Sequence, residues 1–437
     1  MITLACLALL QTTPARGLLV VAPASFQPAL QAFLDARGKE LPVEFAAIED
    51  LVRADPADGG LLLDPPERIK RALYARWKSG ALGYALLVGD ADTFPVRFMV
   101  LDRFTPAANN YAFYASDLYY ADLARADGSF DDWNGMREGF HARYFGEVRG
   151  ESNKKDPINF DSVSYAPEIA VGRWPVHTPE EAALVAKKTL AHVSREKPRV
   201  LIVHADGWID ARSNARAMLD SLGSRGFEVE GQLYGDEASA PSPARTLASL
   251  QTRTDLALHL GHGSDQGWHL CLGEAERVSL ASAPPAIFLS IGCSTAHFVN
   301  EPPYQPYLDE AGVPHRGTNA GEQFTSPPPP PHWLQPGAFD STGFGAELVR
   351  SPSGGALVYI GCDTGAQPCA LTLLDAFQAA LRTDAAPRIG DAWRLAQAAY
   401  VEREKLFALT PSEDWYPPSI FFQGMKFVFL GDPTLTL

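Results

Sequence analysis

Residues 256–268, LALHLGHGSDQGW, and residues 286–298, AIFLSIGCSTAHF, decide the reading of this chain. Each is a short apolar run that stops at a glycine, and each carries a reactive side chain beside that glycine, His262 in the first and Cys293 in the second. A brief apolar run closed by glycine reads as a strand buried on both faces, as in a parallel sheet covered by helices. In an open parallel sheet, reactive groups gather just beyond the C-terminal ends of the strands. Two successive strands ending on a histidine and a cysteine therefore bring an imidazole and a thiol together.

The same grammar extends outward. Residues 18–22 (LLVVA), 43–46 (VEFA), 85–88 (ALLV), 168–171 (EIAV), 200–203 (VLIV) and 227–233 read as strands. Helical stretches at 26–37, 66–79, 209–222 and 243–251 separate them, and Thr178 with Glu181 three residues on marks another helix start. Alternating strand and helix implies an α/β fold. Further strands are expected at 356–360 and 427–430, and further helices at 344–350 and 391–404. A fresh unit begins near residue 195. Residues 300–340 carry ten prolines, five of them consecutive, and no periodicity, so they read as a long extended loop that walls, covers or merely decorates the cleft.

Composition bounds the function. The 437 residues are 46% hydrophobic and 20% charged, enough for a sizeable core and incompatible with wholesale disorder. Lys and Arg number 37 against 52 Asp and Glu, a formal charge of -15. Nucleic acid and anionic membrane surfaces repel such a chain, so neither is expected as a partner. Residues 1–16 open on MITLACLALL, too short to span a bilayer. They read as a truncated export signal, so an exported, secreted or cell-envelope protein without a membrane span is expected.

A thiol paired with an imidazole is the chemistry of a cysteine nucleophile. The imidazole raises the thiolate fraction and later protonates the leaving amine. Gly263 lets the backbone approach a substrate, and its N–H with that of Cys293 could face a developing oxyanion. His259, His262 and His269 have the nitrogens of a zinc cluster, but on a strand His259 and His262 face opposite sides. Cys362 and Cys369 would form a C-x6-C disulfide in an exported protein. Asp117, Asp122, Asp127, Asp131 and Asp132, with Gly128 among them, offer hard oxygen ligands for calcium or form a solvated acidic loop. No other cofactor is expected.

The two opening blocks resemble the His-Gly and Cys motifs of the gingipain-like cysteine peptidases, relatives of the caspases. ALLVGDADTFP (85–95), SDLYYADL (116–123), PEIAVGRWPVHTPEEA (167–182), GGALVYIG (354–361) and FLGDPTL (429–435) are similar to further blocks of that family, in its order. The resemblance covers about residues 17–437. It implies a caspase-like α/β fold of two side-by-side subdomains, each with a mainly parallel sheet flanked by helices. These would be 17–195 and a catalytic 196–437 carrying the proline-rich insertion. It also implies Cys293 as nucleophile, His262 as base, Gly263 and Cys293 as oxyanion donors, and a peptide or protein substrate. Asp161, Ser164 and Trp268 are the candidate substrate-binding residues. The arginine-specific members place an acid where Ser164 stands here, so arginine specificity does not carry over. The competing reading is a catalytically silent caspase-fold protein that binds through the same cleft and the proline-rich loop.

Overall fold

The computed structural model describes residues 16–54, 63–100, 113–133, 163–324, 328–409, 420 and 423–437. Its centre is one ten-stranded sheet. In chain order the strands are β1 (Gly17–Ala22), β2 (Val43–Ala47), β3 (Leu82–Val88), β4 (Ala170–Trp174) and β5 (Arg199–His204). They continue with β6 (Glu228–Leu233), β7 (Leu256–Leu260), β8 (Ala286–Ser290), β9 (Ala356–Cys362) and β10 (Phe427–Gly431). Across the sheet the order is β2-β1-β3-β4-β10-β9-β8-β7-β5-β6.

Every neighbouring pair is parallel except β9 and β10, which pair antiparallel from Val358–Gly431 to Cys362–Phe427. The sheet is therefore two parallel halves running in opposite directions and joined at one seam. The last strand of the chain, β10, runs with β1 to β4. This reversal places the C-terminal ends of the two halves on opposite edges of the sheet.

The strands are apolar on both faces because both faces are covered. Leu19 and Val21 of β1 enter one core while Leu18, Val20 and Ala22 enter the other. Pro65–Lys78, Arg212–Ser224, Leu371–Ala380 and Ile389–Arg403 cover the first face. Gln27–Arg37, Pro179–Leu190, Pro243–Thr252 and Phe344–Arg350 cover the second. The helix starts are chemically marked. Asp64 accepts from Glu67 N at 3.0 Å and Thr178 Oγ1 from Glu181 N at 3.2 Å, each satisfying an amide that a helix leaves unpaired. No helix among the described residues is long and apolar enough to cross a membrane.

The insertion is more structured than its composition suggests. Tyr307–Leu308 and Pro314–His315 form a small antiparallel ribbon, and Tyr307 and Phe324 pack around the His315 ring. Backbone bonds dock it on the N-terminal half, from Gln335 N to Ala91 O, Val96 N to Trp333 O and Phe113 N to Pro302 O.

Candidate active site

β7 and β8 are in register, with Ser290 opposite His259. Beyond the strand ends the two turns meet at Gly263 and Gly292, the neighbours of His262 and Cys293. The glycines make the approach of the two turns close enough to matter. A Cβ on Gly292 would lie 2.9 Å from Gly263 N and Cα, and one on Gly263 would lie 3.1 Å from Cys293 O. Real Cβ atoms do not pack at such distances, so the two turns touch backbone to backbone only because both residues are glycine.

Each reactive side chain has an assigned partner. His262 is exposed, and its Nε2 lies 2.9 Å from Gly207 O, in the turn after β5. A carbonyl can only accept, so that nitrogen carries a proton, and the neutral ring is the tautomer with Nδ1 as acceptor. Cys293 is half-buried and leans the other way, toward the turn after β9. Its Sγ accepts from Ala366 N at 3.3 Å and faces Ala366 O at 3.7 Å. The imidazole thus bonds the turn after β5 and the thiol the turn after β9, and no hydrogen bond joins the two among the described residues. Ser294, directly after the cysteine, has φ 51, a left-handed backbone that L residues avoid, and its N–H is fixed on Thr364 O at 2.7 Å. Strain of that kind collects at functional turns.

Gly207, Ala366 and Ser294 escaped the sequence reading. The first two act through backbone atoms, which leave no side-chain signature, and only the glycine after a strand hinted at the Gly207 turn.

Several expectations need correction. Trp268 is 1% exposed, stacks on the His259 ring at 4.5 Å and donates its indole N–H to Tyr359 at 2.8 Å, so it is a core residue and cannot line an open pocket. Cys362 and Cys369 are both free thiols. Cys362 sits within β9, where Gln423 Nε2 approaches its sulfur at 3.7 Å. Burial pushes His259 down to about 3, a neutral ring bonded to Ser290 Oγ rather than a metal ligand.

The five acids do not gather around one point, because protein donors hold them individually. Asp117 takes both Arg173 branches at 2.7 and 2.8 Å. Asp122 accepts from Trp133 Nε1, Ser164 Oγ and Tyr165 N within 2.9 Å, and burial pushes its carboxyl well above the usual range. Asp131 accepts from Ser164 N at 2.8 Å, Asp127 from Ser129 N at 2.9 Å, and Asp132 lies 3.9 Å from Arg71. Lys70, sealed against the Tyr119 and Trp133 rings, supplies positive charge beneath Asp122 and Asp131. Ser164 is thereby anchored by its own loop. Asp161 lies outside the described residues.

Compared with known proteins, residues 11–437 match the model of peptidase family C25. No curated protein gives a match. Among solved structures the chain is similar to the Arg-specific cysteine proteinase gingipain R (RGPB), with TM-score 0.61 at 15% identity over 98% of this chain and 79% of that one. A second structure, described only as a protease, gives 0.60 at 14% over the same shares. The complex of Porphyromonas gingivalis RgpB pro- and mature domains gives 0.59 at 14%, over 96% of this chain and 79% of that one. At these identities the structural likeness shows the fold, a caspase-like α/β architecture.

Proposed function

The chain belongs to peptidase family C25 and is a cysteine-type peptidase; from that premise we propose that it is an endopeptidase working through Cys293 and His262. The observation that supports this is that the two residues sit in the turns after adjacent parallel strands, with two glycines allowing backbone contact between those turns.

The steps follow from the groups present. In the neutral ring whose Nε2–H bonds Gly207 O, His262 Nδ1 is the acceptor that takes the thiol proton as Cys293 Sγ attacks the scissile carbonyl. The carbonyl oxygen becomes an oxyanion facing the N–H groups of Gly263 and Cys293, which are positioned before the charge develops. Collapse breaks the C–N bond, the imidazolium gives its proton to the amine, and a thioester remains. Water, deprotonated by the same ring, then releases the acid and returns the thiol. No cofactor takes part in these steps.

The insertion emerges a few residues after Cys293 and is docked by backbone bonds, which favours a fixed wall of the cleft over a mobile lid. An export route is proposed for the chain on the composition of residues 1–16. The function is tested by assaying Cys293→Ala and His262→Ala on a peptide library. Loss of at least about 10³-fold in kcat/KM with an unchanged melting temperature is expected of each. Retained hydrolysis by Cys293→Ala would remove this assignment of the nucleophile. A folded wild type that binds peptides without cleaving any would favour the silent binding protein.

A further inference from the structure

The C-terminal edge of the first half carries a second cluster, at the edge of the sheet opposite Cys293. The turn after β3 delivers Asp90 and Asp92, the segment after β4 delivers His177, and the last residue of the insertion delivers Asp340. Gly89 makes the turn possible, with φ 146 and a would-be Cβ only 2.7 Å from the Phe94 Cβ. His177 Nδ1 lies 2.9 Å from Asp92 Oδ2 and 3.3 Å from Asp340 Oδ2, while its Nε2 lies 3.7 Å from Asp90 Oδ2. One ligand atom each from Asp90, His177 and Asp340 falls within a 4.8 Å circle, the span of a single coordination shell.

Two features separate this cluster from an ordinary surface ion network. The Asp340 side chain is 3% exposed, and among the described residues neither of its oxygens receives a hydrogen bond; Asp92 Oδ1 is in the same condition. A buried carboxylate without donors is costly. The charges also fail to balance: among the described residues three carboxylates are met by Arg350, 3.1 Å from Asp90 Oδ2, by one imidazole, and at longer range by Arg173, which Asp117 already pairs. With the ring neutral, Arg350 and a divalent cation would balance all three.

We propose that Asp90, His177 and Asp340, with Asp92 at the rim, bind a divalent cation of the zinc class and clasp the end of the insertion to the first half of the sheet. An imidazole nitrogen among carboxylates suits zinc and disfavours calcium, which prefers an all-oxygen shell. The cluster lies past the ends of β3 and β4, at the sheet edge opposite the one where β8 ends, and its test does not depend on turnover.

The test uses the full chain carrying Cys293→Ala, so that zinc cannot bind the nucleophile. After chelator treatment and dialysis, zinc binding is followed by calorimetry and by thermal unfolding. The expected result is one equivalent of zinc and a rise in melting temperature of several degrees, with calcium giving little. Asp340→Asn should weaken zinc at least about tenfold, as should His177→Gln. Asp340→Asn should also melt no lower than the parent without metal, since it removes one of three crowded carboxylates; this separates lost binding from lost folding. Zinc affinity equal in the parent and in both variants would overturn the proposal. So would absence of zinc binding in the parent, or a calcium response in its place. A metal-free Asp340→Asn that melts well below the parent would mean that the cluster is a structural ion pair.

Discussion

The two edges of the sheet position their functional groups by opposite means. At the edge where β7 and β8 end, His262 and Cys293 are placed by backbone. Glycine against glycine, in-register strands and main-chain partners at Gly207 and Ala366 hold them there. At the edge where β3 and β4 end, side-chain charge does the placing, with Arg173 on Asp117, Arg350 on Asp90, and His177 among three carboxylates. The difference teaches which substitutions each edge tolerates. Backbone placement leaves the reactive side chains free to change without unfolding the protein, but no Cβ can be added beneath them. Charge placement leaves the backbone tolerant, but a single unpaired ion becomes expensive.

The largest effect should come from breaking the charged edge. Arg173 is fully buried, bidentate on Asp117 and bonded to Gly89 O at 2.9 Å. Arg173→Met leaves Asp117 buried without its partner and should cost about 3–5 kcal/mol in urea unfolding. The double change Arg173→Met/Asp117→Leu should recover much of that loss; an equal loss in both would mean that packing rather than charge is at stake.

Next comes the backbone edge. Gly292→Ala puts a Cβ 2.9 Å from Gly263 and should lower kcat/KM about 10²-fold through misplacement of the dyad. Its melting temperature should change far less than that of Arg173→Met. Full activity would show that the turns can separate without consequence.

Lys188 is a smaller case of charge placement. Its buried amino group, which burial pushes down to about 7, donates toward Leu348, Val349, Ser351 and Gly354 carbonyls at 2.7–3.3 Å, closing the end of the helix before β9. Lys188→Met should cost about 2 kcal/mol, since hydrogen bonds to otherwise unpaired acceptors are lost. An unchanged urea midpoint would show that water replaces the amino group.

The last effect is a slope, small over any one pH unit. Burial holds His259 neutral down to about 3, against an ordinary value of 6.5. Between those values the unfolded chain binds a proton that the folded chain refuses. This group therefore contributes stability above pH 6.5 that is lost on acidification, by about 1.4 kcal/mol per pH unit. His259→Phe should flatten the acid limb of stability against pH by that amount, and an unaltered limb would mean that His259 protonates in the folded state.

Much of this was legible in the sequence, because strands buried on both faces are written as continuous apolar runs and glycine closes them. The runs at 256–260 and 286–290 read as successive strands, and they pair side by side in the sheet with His262 and Cys293 just beyond their ends. The seam was harder to see. Nothing local in Phe427–Gly431 says that it pairs antiparallel with β9 and parallel with β4, so two sheets were expected where one continuous sheet exists. Asp117 looked like a spare ligand because its partner, Arg173, is 56 residues away in sequence. Trp268 looked accessible for the same reason, since its neighbours Tyr359 and Phe288 come from later strands.

The central claim is that Cys293 is the nucleophile and His262 the base that activates it. A peptide-based thiol-reactive probe, followed by peptide mapping, tests it most directly. The account predicts one equivalent of label on Cys293, competed by substrate, and strongly slowed in His262→Ala although that variant keeps the wild-type fold. Label on Cys271, Cys362 or Cys369 in preference, or undiminished labelling of Cys293 in His262→Ala, would contradict it.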